Sequence, residues 1–221
     1  MRVFITGAGG GIGSAIKEIY QQNGHEVIAP RSTELDLSDI PAIKKWFAQN
    51  PANYDAIIHC AGYNHPLLTA RMPQEEFAKT INVNIASLIE IMKANDSYFK
   101  QNGGYVVGIA SLYGSISREG RAAYTSSKHA LIGLIKTLAL EYGRYNVLCN
   151  TVSPGFVNTI MFQTNNDAQK RAELAAKTAL NRLAEPSDIA RTVYFLASEE
   201  NTYLTGQDII VDGGFMAGSY Q

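Results

Sequence analysis

Short apolar runs alternate with longer amphipathic patterns along the chain. The run at residues 2–6 leads into a glycine-rich stretch, and apolar residues then recur at helical spacing through residues 12–24. A second apolar run follows at residues 26–30, with Gly24 placed to end the helix before it. This order predicts a strand, a glycine turn, a helix and a second strand, which together form a βαβ unit.

The same alternation continues to the C-terminus. Because the strand candidates are almost continuously apolar, they predict a parallel sheet covered on both faces. The fold class that follows is α/β, a doubly wound parallel sheet of the Rossmann-like type. Further helices are predicted at residues 39–50, 74–103, 122–145 and 186–198, and further strands at 54–62, 104–111, 146–155 and 208–214.

One connection is shorter than this fold class requires. Only a few residues separate the run at 26–30 from "ELDLS" at 34–38. A parallel crossover with its own helix needs about a dozen residues or more. Either "ELDL" is a very short third strand reached by a loop, or the sheet is abbreviated at this edge.

Composition narrows the functional classes. The chain has 221 residues, 46% hydrophobic and 18% charged, with a net charge of −1. No linker, repeat or low-complexity segment divides it, so we expect one domain over residues 1–221. The charge balance supplies no basic field for nucleic acid or a membrane surface. The N-terminal apolar run is too short for a signal peptide or membrane span.

Only two cysteines are present, Cys60 and Cys149, which is too few for a metal cluster or a disulfide framework. A reduced, cytoplasmic setting fits this usage. The histidines have no ligand-like spacing, so no metal site is predicted.

The glycine-rich stretch "TGAGGGIG" occupies residues 6–13, between the first strand and the first helix. Glycines there allow the backbone to approach a pyrophosphate, which the helix N-terminus then faces. A tight turn without a ligand is the alternative. No Gly-Lys-Ser/Thr triplet follows, so a nucleoside triphosphate loop is excluded. The candidate cofactor-binding residues here are Gly7, Gly9, Gly11, Ile12 and Gly13.

Tyr124 and Lys128 stand one helical turn apart in "AAYTSSKHA". Side chains at i and i+4 share a helix face, so the ammonium can lie close to the phenol. A nearby cation favours the phenolate and lowers the tyrosine pKa, which suits proton exchange with an alcohol or carbonyl. A surface pair without function is the alternative.

Further motifs stand in a characteristic order around this pair. Ser111 ends a predicted strand thirteen residues before Tyr124, and Asn84 lies in the preceding long helical pattern. The stretch "NTVSPGFVNT" occupies residues 150–159. With the glycine turn, these motifs resemble the short-chain dehydrogenase/reductase family nearly end to end. Residues 182–214 are similar to the branch that contains 3-oxoacyl carrier-protein reductases.

The resemblance implies catalytic roles for four residues. Tyr124 would exchange the proton, and Ser111 would orient the substrate oxygen. Lys128 would lower the pKa of Tyr124 and hold the nicotinamide ribose. Asn84 would support a water-mediated proton route to Lys128.

The family pattern also extends the predicted cofactor site. Where the family usually has Asn-Asn-Ala-Gly after a strand, this chain has His59 and Cys60 before Ala-Gly, which puts one strand-bracing or adenosine contact in doubt. The loop at 150–159 is similar to the Pro-Gly loop that lies against the nicotinamide. These two segments and the catalytic pair extend the set of predicted cofactor-binding residues, which now also includes Ala61, Gly62, Tyr124, Lys128, Pro154, Gly155, Val157 and Thr159.

Cofactor preference is read at the end of the second strand, where "PRS" replaces the acidic residue typical of NAD sites. Arg31 offers a permanent charge to a 2′-phosphate, and Ser32 can add a hydrogen bond. We therefore expect NADP rather than NAD, unless Arg31 points into solvent. Asp36 resembles the acidic residue near the adenine ring in relatives.

The sequence indicates only a general class of substrate. Ser111, Tyr113, Tyr124 and the loop after Gly155, followed by Met161 and Phe162, predict a partly apolar pocket for a small or medium carbonyl or alcohol. The segment 160–182 is polar and helix-prone, which suggests a flap.

The resemblance favours a keto-reductase. The abbreviated edge leaves a reductase of sugar-linked ketones open, and a non-catalytic dinucleotide sensor or scaffold is the alternative of another class. Relatives often pair through the long helices that carry Asn84 and Tyr124, so a homodimer or homotetramer is expected.

Overall fold

The computed structural model describes residues 1–218, apart from the side chains of Met161 and Asn165. Strands alternate with helices along these residues, as the apolar pattern predicts. The strands are β1 (Arg2–Thr6), β2 (Glu26–Ile28), β3 (Ala56–His59), β4 (Gly104–Ile109), β5 (Val147–Pro154) and β6 (Asp208–Val211). The α-helices are α1 (Gly11–Gln22), α2 (Ile40–Gln49), α3 (Gln74–Ile81), α4 (Ser87–Asn102), α5 (Ala122–Tyr142), α6 (Ile160–Asn165), α7 (Ala168–Ala176) and α8 (Pro186–Leu196).

All six strands form one parallel sheet in the order β2-β1-β3-β4-β5-β6. Val3 of β1 pairs with Val27 of β2 on one side and with Ala56 of β3 on the other. The chain therefore reverses its direction of winding at β1. In open α/β sheets this switch point opens a crevice at the carboxyl ends of the strands, which is where ligands bind.

Alternate strand residues supply two cores, one on each face of the sheet. Phe4 faces the core built with α2, α4 and α5, whereas Val3 and Ile5 face the core built with α1 and α8. The doubly wound α/β prediction is confirmed. Fully buried helix residues of the first core include Ile43, Leu88, Ile91, Phe99 and Leu131, and those of the second include Ile16, Tyr20, Ile189 and Val193.

The sheet is abbreviated beside β2, because residues 29–39 form turns and loop rather than a third strand. Leu35 and Leu37 are buried in the first core, so the apolar residues of "ELDL" fill the space under this loop. Asp39 then begins α2 by accepting a hydrogen bond from the Ala42 amide at 3.1 Å. Of the two alternatives, the structure has the abbreviated edge.

The long helical pattern at 74–103 forms one continuous helical run, in which one turn has π-helical instead of α-helical geometry. α3 passes into a π-helical turn at Asn82–Ala86 and then into α4. Such turns insert one extra residue and often occur at functional sites. Here the turn contains Asn84, whose side chain is fully buried.

Residues 160–182 form two short capped helices. Thr159 caps α6 and Asp167 caps α7, each accepting a hydrogen bond from a backbone amide in the first turn. α7 buries no residue fully, which agrees with its weak apolar pattern. A flap role for the segment stays a prediction, as does the single domain over 1–221, whose last three residues lie outside the described ones.

Within residues 1–218, no helix has the length and apolar character needed to cross a bilayer.

We expect the buried amide of Asn95 to hold the start of β3 in place. Its Oδ1 accepts from the Tyr54 amide at 2.9 Å and its Nδ2 donates to the Tyr54 carbonyl at 3.0 Å. Asn95→Ala leaves both backbone groups without partners, so the free energy of unfolding should fall by about 2 to 4 kcal/mol. Urea denaturation measures this difference.

Asn102→Ala is the matched control on the same helix. Asn102 is exposed, and among the described residues its side chain bonds only the Tyr98 carbonyl, so its loss should cost less than about 1 kcal/mol. Equal losses in the two variants would contradict the role given to Asn95.

Candidate active site

The glycine turn after β1 is shaped by close backbone contacts. Gly7 adopts a φ of 72°, and a Cβ there would stand 2.6 Å from the Ala61 Cα. A Cβ on Gly13 would overlap the Gly7 carbonyl oxygen, so neither position tolerates a side chain. By contrast, a Cβ on Gly9 would have no atom within 4 Å. The turn is packed against the end of β3 on one side and open on the other.

The open side of this turn fits a pyrophosphate. α1 begins at Gly11 after Gly10, which has no side chain to satisfy the first amides of the helix. Those amides and the helix dipole suit a negatively charged group. A Cβ on Gly11 would also stand 2.8 Å from the Thr159 Cγ2, so the loop after β5 borders the same space. Ile12 instead packs into the second core.

Thr6 and His59 join the ends of β1 and β3. A hydrogen bond of 3.1 Å links the Thr6 Oγ1 to the His59 Nδ1, and the same hydroxyl accepts from the Ala61 amide at 3.1 Å. The departure from Asn-Asn-Ala-Gly therefore does not remove the bracing between the strands, because His59 supplies it. Cys60 has its thiol pKa raised to about 12 by burial, which makes it unreactive as a thiolate.

His59 is a fully buried histidine held in its neutral form. Burial, together with the nearby Lys128 ammonium, lowers its pKa to about 4. Its Nε2 is directed at the Val83 and Asn84 carbonyls of the π-helical turn, but among residues 1–218 it has no partner at hydrogen-bond geometry. The side chain thus lies between the cofactor turn and the segment that carries Asn84.

Asn84 holds the segment after β3 against α5. Its Oδ1 accepts from the Tyr63 amide at 2.7 Å, and its Nδ2 donates to the Tyr63 carbonyl at 3.1 Å. The same Nδ2 donates to the Ser127 Oγ at 2.8 Å, and Ser127 in turn donates to the Tyr124 carbonyl at 2.7 Å. Through Ser127, a residue that the sequence analysis did not select, Asn84 is joined to the turn of α5 that carries Tyr124.

Ser111 and Tyr124 meet at the carboxyl end of β4. The Ser111 Oγ accepts from the Tyr113 amide at 3.2 Å, which holds the hydroxyl at the start of the following turn. A hydrogen bond with Ser111 acts to lower the pKa of Tyr124. The two hydroxyl groups can therefore address one substrate oxygen, one as an acid and the other as a fixed hydrogen-bond donor.

Lys128 is buried behind Tyr124, with 3% of its surface exposed. Its Nζ donates to the Ile109 carbonyl at 2.6 Å and lies 5.6 Å from the centroid of the Tyr124 ring. Burial lowers the pKa of Lys128 to about 8. A Cβ on Gly62 would stand 3.7 Å from the Lys128 Nζ and 3.9 Å from the Asn84 Oδ1, so Gly62 borders both groups.

The expected effect of Lys128 on the Tyr124 phenol differs from what the structure shows. The pKa of Tyr124 is raised, and burial is the main cause. Hydrogen bonding to Ser111 and the positive charge of Arg121 act in the opposite direction, whereas Lys128 directs its Nζ to the Ile109 carbonyl. Spacing on the helix placed the two side chains on one face, but the carbonyl of β4 determines where the ammonium points.

The residues expected to select the cofactor lie at the open edge beside β2. Arg31 is exposed, and its Nε lies 3.7 Å from the Glu34 carboxylate, which also accepts from the Arg31 amide at 2.7 Å. Ser32 is exposed beside it. Asp36 is engaged locally, because its Oδ1 accepts from the Ser38 amide and hydroxyl, which lower its pKa. The sequence analysis missed Glu34, although it stands three residues after Arg31.

The loop after β5 combines buried and accessible positions. Pro154 pairs with Val211 at the end of β6, and a Cβ on Gly155 would stand 2.8 Å from the Asp212 Cα. Val157 is buried in the second core and forms a bridge with Ala184, so only its backbone can face a cofactor. Thr159 lies beside Gly11, as described above.

The expected substrate side is lined by aromatic rings. Tyr113 stands edge-on to Tyr124 with 6.1 Å between ring centroids, and Phe156 lies 6.4 Å from Phe162. The Met161 side chain lies outside the described residues. Arg121, which the sequence patterns did not indicate, approaches the Tyr113 ring with its guanidinium carbon 5.9 Å from the centroid. Within residues 1–218, no group of three or more His, Cys, Asp or Glu residues is placed to hold a metal.

A glycine turn at the switch point of a parallel sheet, with Ser, Tyr, Lys and Asn gathered beside it, is typical of dinucleotide-dependent oxidoreductases. The family model described as "Enoyl-(Acyl carrier protein) reductase" matches residues 1–216. The chain belongs to the short-chain dehydrogenase/reductase family, whose members are NAD(P)-dependent oxidoreductases.

Individual relatives agree with this class. The chain is 33% identical to the 3-oxoacyl-(acyl-carrier-protein) reductase FabG of Vibrio cholerae and 32% identical to that of Thermotoga maritima, covering 95% and 96% of both chains. Among solved structures, a 4-hydroxyisoleucine dehydrogenase complexed with NADH is 29% identical, with 99% of each chain covered and a TM-score of 0.88. The structure titled "ElxO with NADP Bound" is 25% identical, with 98% and 99% covered and a TM-score of 0.89.

We expect His59 to make stability depend on pH. Unfolded histidine titrates near 6.5, whereas folded His59 titrates near 4, so the unfolded chain binds this proton first as the pH falls. The stabilisation is complete above about pH 6.5 to 7 and is lost progressively toward pH 4. Between pH 7 and pH 5 this histidine should lower the free energy of unfolding by about 2 kcal/mol.

Urea denaturation at the two pH values measures the effect, with His59→Asn as the test variant and His129→Asn as the control on an exposed site. The fall in the free energy of unfolding between pH 7 and pH 5 should be about 2 kcal/mol smaller in His59→Asn than in the wild-type protein. In His129→Asn it should equal the wild-type fall. If His59→Asn showed the same fall in unfolding free energy as the wild-type protein, a group other than His59 would be responsible for the pH dependence.

Proposed function

We propose that the protein interconverts a carbonyl and an alcohol by hydride transfer, with NADP(H) as the preferred cofactor. The observation that carries the proposal is the convergence of Ser111, Tyr124, Lys128 and Asn84 beside the open glycine turn. Such a constellation supplies an acid and a fixed hydrogen-bond donor at one substrate oxygen. A non-catalytic sensor would not need this set, which argues against that alternative.

Tyr124 acts as the proton donor in reduction and as the acceptor in oxidation. When a carbonyl gains a hydride, negative charge develops on its oxygen and must be met by a proton and a hydrogen bond. Tyr124 and Ser111 are supported for these two roles by the effect of Ser111 on the pKa of Tyr124 and by the edge-on packing of Tyr113 against Tyr124. Burial favours the neutral, proton-bearing form of the phenol.

Lys128 and Asn84 support the proton transfer. A lysine whose pKa is about 8 is mostly charged at pH 7 and can still exchange its protons readily. Its position beside Gly62 suits contact with a ribose, and the Asn84 Oδ1 borders the same space. Asn84 thus joins the Tyr63 backbone to the turn of α5 that carries Tyr124.

The cofactor would lie across the switch point of the sheet and supply the hydride. Gly7, Gly9, Gly11 and Gly13 form the turn for the pyrophosphate, and Ala61 with Gly62 continues the cleft along the end of β3. Gly155 and Thr159 border it from the loop after β5, where Pro154 and the Val157 backbone set the course of that loop. Ile12 contributes by anchoring α1 in the second core.

The preference for NADP rests on Arg31 and Ser32 at the end of β2. A guanidinium can bind a 2′-phosphate through two hydrogen bonds, and Ser32 can add a third. Glu34 competes for the same guanidinium, since its carboxylate already lies within ion-pair distance. Asp36 lies close by on the same loop, so we assign it to the adenine side of the site.

The substrate would be a small or medium carbonyl compound or the matching alcohol. The similarity to 3-oxoacyl carrier-protein reductases makes a 3-oxoacyl thioester the first compound to test. A 4-hydroxy amino acid is the second, because of the similar 4-hydroxyisoleucine dehydrogenase. A sugar-linked ketone is the third, because of the abbreviated sheet edge.

We also propose a homodimer or homotetramer formed through α4 and α5. The exposed apolar residues Ile89 and Leu140 on these helices support it, and light scattering measures the particle mass. Cytoplasmic location stays a prediction from cysteine usage. The absence of nucleic-acid and membrane partners stays a prediction from the charge balance and the short apolar runs, and the absence of a metal one from the number of cysteines and the spacing of histidines.

NADPH should bind more tightly than NADH, and Arg31→Ala should remove the difference. Loss of a charged phosphate contact should weaken NADPH binding roughly 10-fold or more and leave NADH binding nearly unchanged. Glu34→Gln is the matched variant, which should tighten NADPH binding because it releases Arg31. Titration followed by reduced-nicotinamide fluorescence measures each affinity. Equal affinities in the wild-type protein would contradict the preference, and absence of binding by either nucleotide would contradict the whole proposal.

Tyr124→Phe should lower kcat/KM at least about 100-fold on any of the three substrate classes that turns over, because the proton donor is lost. Nucleotide binding should persist, since the phenyl ring still fills the site. Stopped-flow or steady-state absorbance of NADPH measures the rate. Tyr203→Phe is the control, because that ring is 94% exposed and should keep full activity. Full activity of Tyr124→Phe would remove Tyr124 from the mechanism.

A further inference from the structure

Arg121 stands where the substrate would enter. It is the residue before α5, three positions ahead of Tyr124, and its guanidinium lies over the Tyr113 ring. Its Nη1 donates to the Asn64 Oδ1 at 2.7 Å, which ties it to the segment that follows β3. Arg121 therefore bridges the two loops on either side of the Tyr113 and Tyr124 rings.

One edge of this guanidinium has no partner. Among residues 1–218 the Arg121 Nε is buried without a hydrogen bond, and no carboxylate lies within ion-pair distance of the side chain. Nη1 is used by Asn64, and no hydrogen bond of Nη2 is found within residues 1–218, so the edge formed by Nε and Nη2 has no protein partner there. A buried donor without a partner is costly, so it points to a ligand that completes it.

Glu76, an acidic residue of α3, is already engaged by the segment that follows β3. The Glu76 carboxylate accepts from the Tyr63 hydroxyl at 2.8 Å and contacts the His65 Nδ1 at 3.0 Å. The Lys79 ammonium also lies over the Tyr63 ring, 4.3 Å from its centroid. Glu76 is therefore engaged with Tyr63 and His65 and does not pair with Arg121, whose positive charge is left for another partner.

Arg121 and Tyr124 both lie against the Tyr113 ring, an arrangement that suits a short molecule. The guanidinium carbon is 5.9 Å from the Tyr113 ring centroid, which is 6.1 Å from the Tyr124 ring centroid. The charge of Arg121 also reaches the Tyr124 phenol, whose pKa it acts to lower. A group bound to the free edge of Arg121 would thus be linked to the reacting carbon by a short chain packed on Tyr113.

We propose that Arg121 is a specificity-determining residue that binds a carboxylate of the substrate through Nε and Nη2. The substrate class is then a keto acid, or the matching hydroxy acid, with the carboxylate a short carbon chain away from the reacting carbon. A planar carboxylate matches the two parallel donors of this edge. The inference rests on the proposed hydride transfer at Tyr124 and names the substrate class for that reaction.

Calorimetric titration tests carboxylate binding without relying on turnover. The probes are acetoacetate and 4-oxopentanoate, each compared with its neutral methyl ester, added to the protein with and without NADPH. At least one acid should bind about 10- to 100-fold more tightly than its ester, as expected for a charge-assisted pair. Arg121→Gln should remove that preference, and Arg121→Lys should restore only part of it.

Arg118→Gln is the matched control, because Arg118 is an exposed arginine on the same loop. It should retain the preference for the acid. Equal binding of acids and esters by the wild-type protein would overturn the proposal, as would a preference that survives in Arg121→Gln or a stronger preference for a neutral 3-oxoacyl thioester. A parallel loss of acid and ester binding in Arg121→Gln would also overturn it, since that result describes a structural role.

Turnover of the same acids, followed by NADPH absorbance, separates this inference from the proposed function. Acid binding that depends on Arg121 without any hydride transfer would support the carboxylate site and contradict the oxidoreductase mechanism. Hydride transfer to neutral ketones without an acid preference would do the reverse.

Discussion

The parallel pairing of β1 with β3 is the constraint on which the site depends. It brings the glycine turn so close to Ala61 that Gly7 has no room for a side chain. Thr6 and His59 then fasten the two strand ends with one hydrogen bond. Because the winding reverses at this pair of strands, the space above them has no helix crossing it and stays open to a dinucleotide.

Burial shapes the chemistry on the other side of that space. It raises the pKa of Tyr124 above its ordinary value and lowers the pKa of Lys128 to about 8, so the two pKa values move apart and the ammonium becomes the stronger acid. This is a different balance from a phenol tuned mainly by an adjacent cation. The Ile109 carbonyl takes the Lys128 ammonium, and Ser111 and Arg121 favour the phenolate instead.

Helical and strand periodicity was sufficient to predict most of the fold. β1, α1, α2, β4, β5 and α8 appear close to their predicted places, because strand alternation and helix capping are local properties of the chain. The π-helical turn at Asn82–Ala86 was not predictable in this way, since an extra residue in a helical run leaves no break in the apolar pattern. Nor was the fate of "ELDL", because burial of Leu35 and Leu37 depends on the core beneath the loop.

The features of the candidate site can likewise be separated into those that the sequence could predict and those that it could not. Tyr124, Lys128, Ser111 and the glycines were identifiable from the sequence by itself, because each occupies a set position relative to a turn or a helix face. The sequence alone thus determined the class of protein and the residue types of its chemistry. Tertiary structure decided where the Lys128 ammonium points, that His59 replaces the usual bracing amide, and that one edge of Arg121 has no partner within residues 1–218. These features arise from contacts between segments distant along the chain, and no local pattern encodes such contacts.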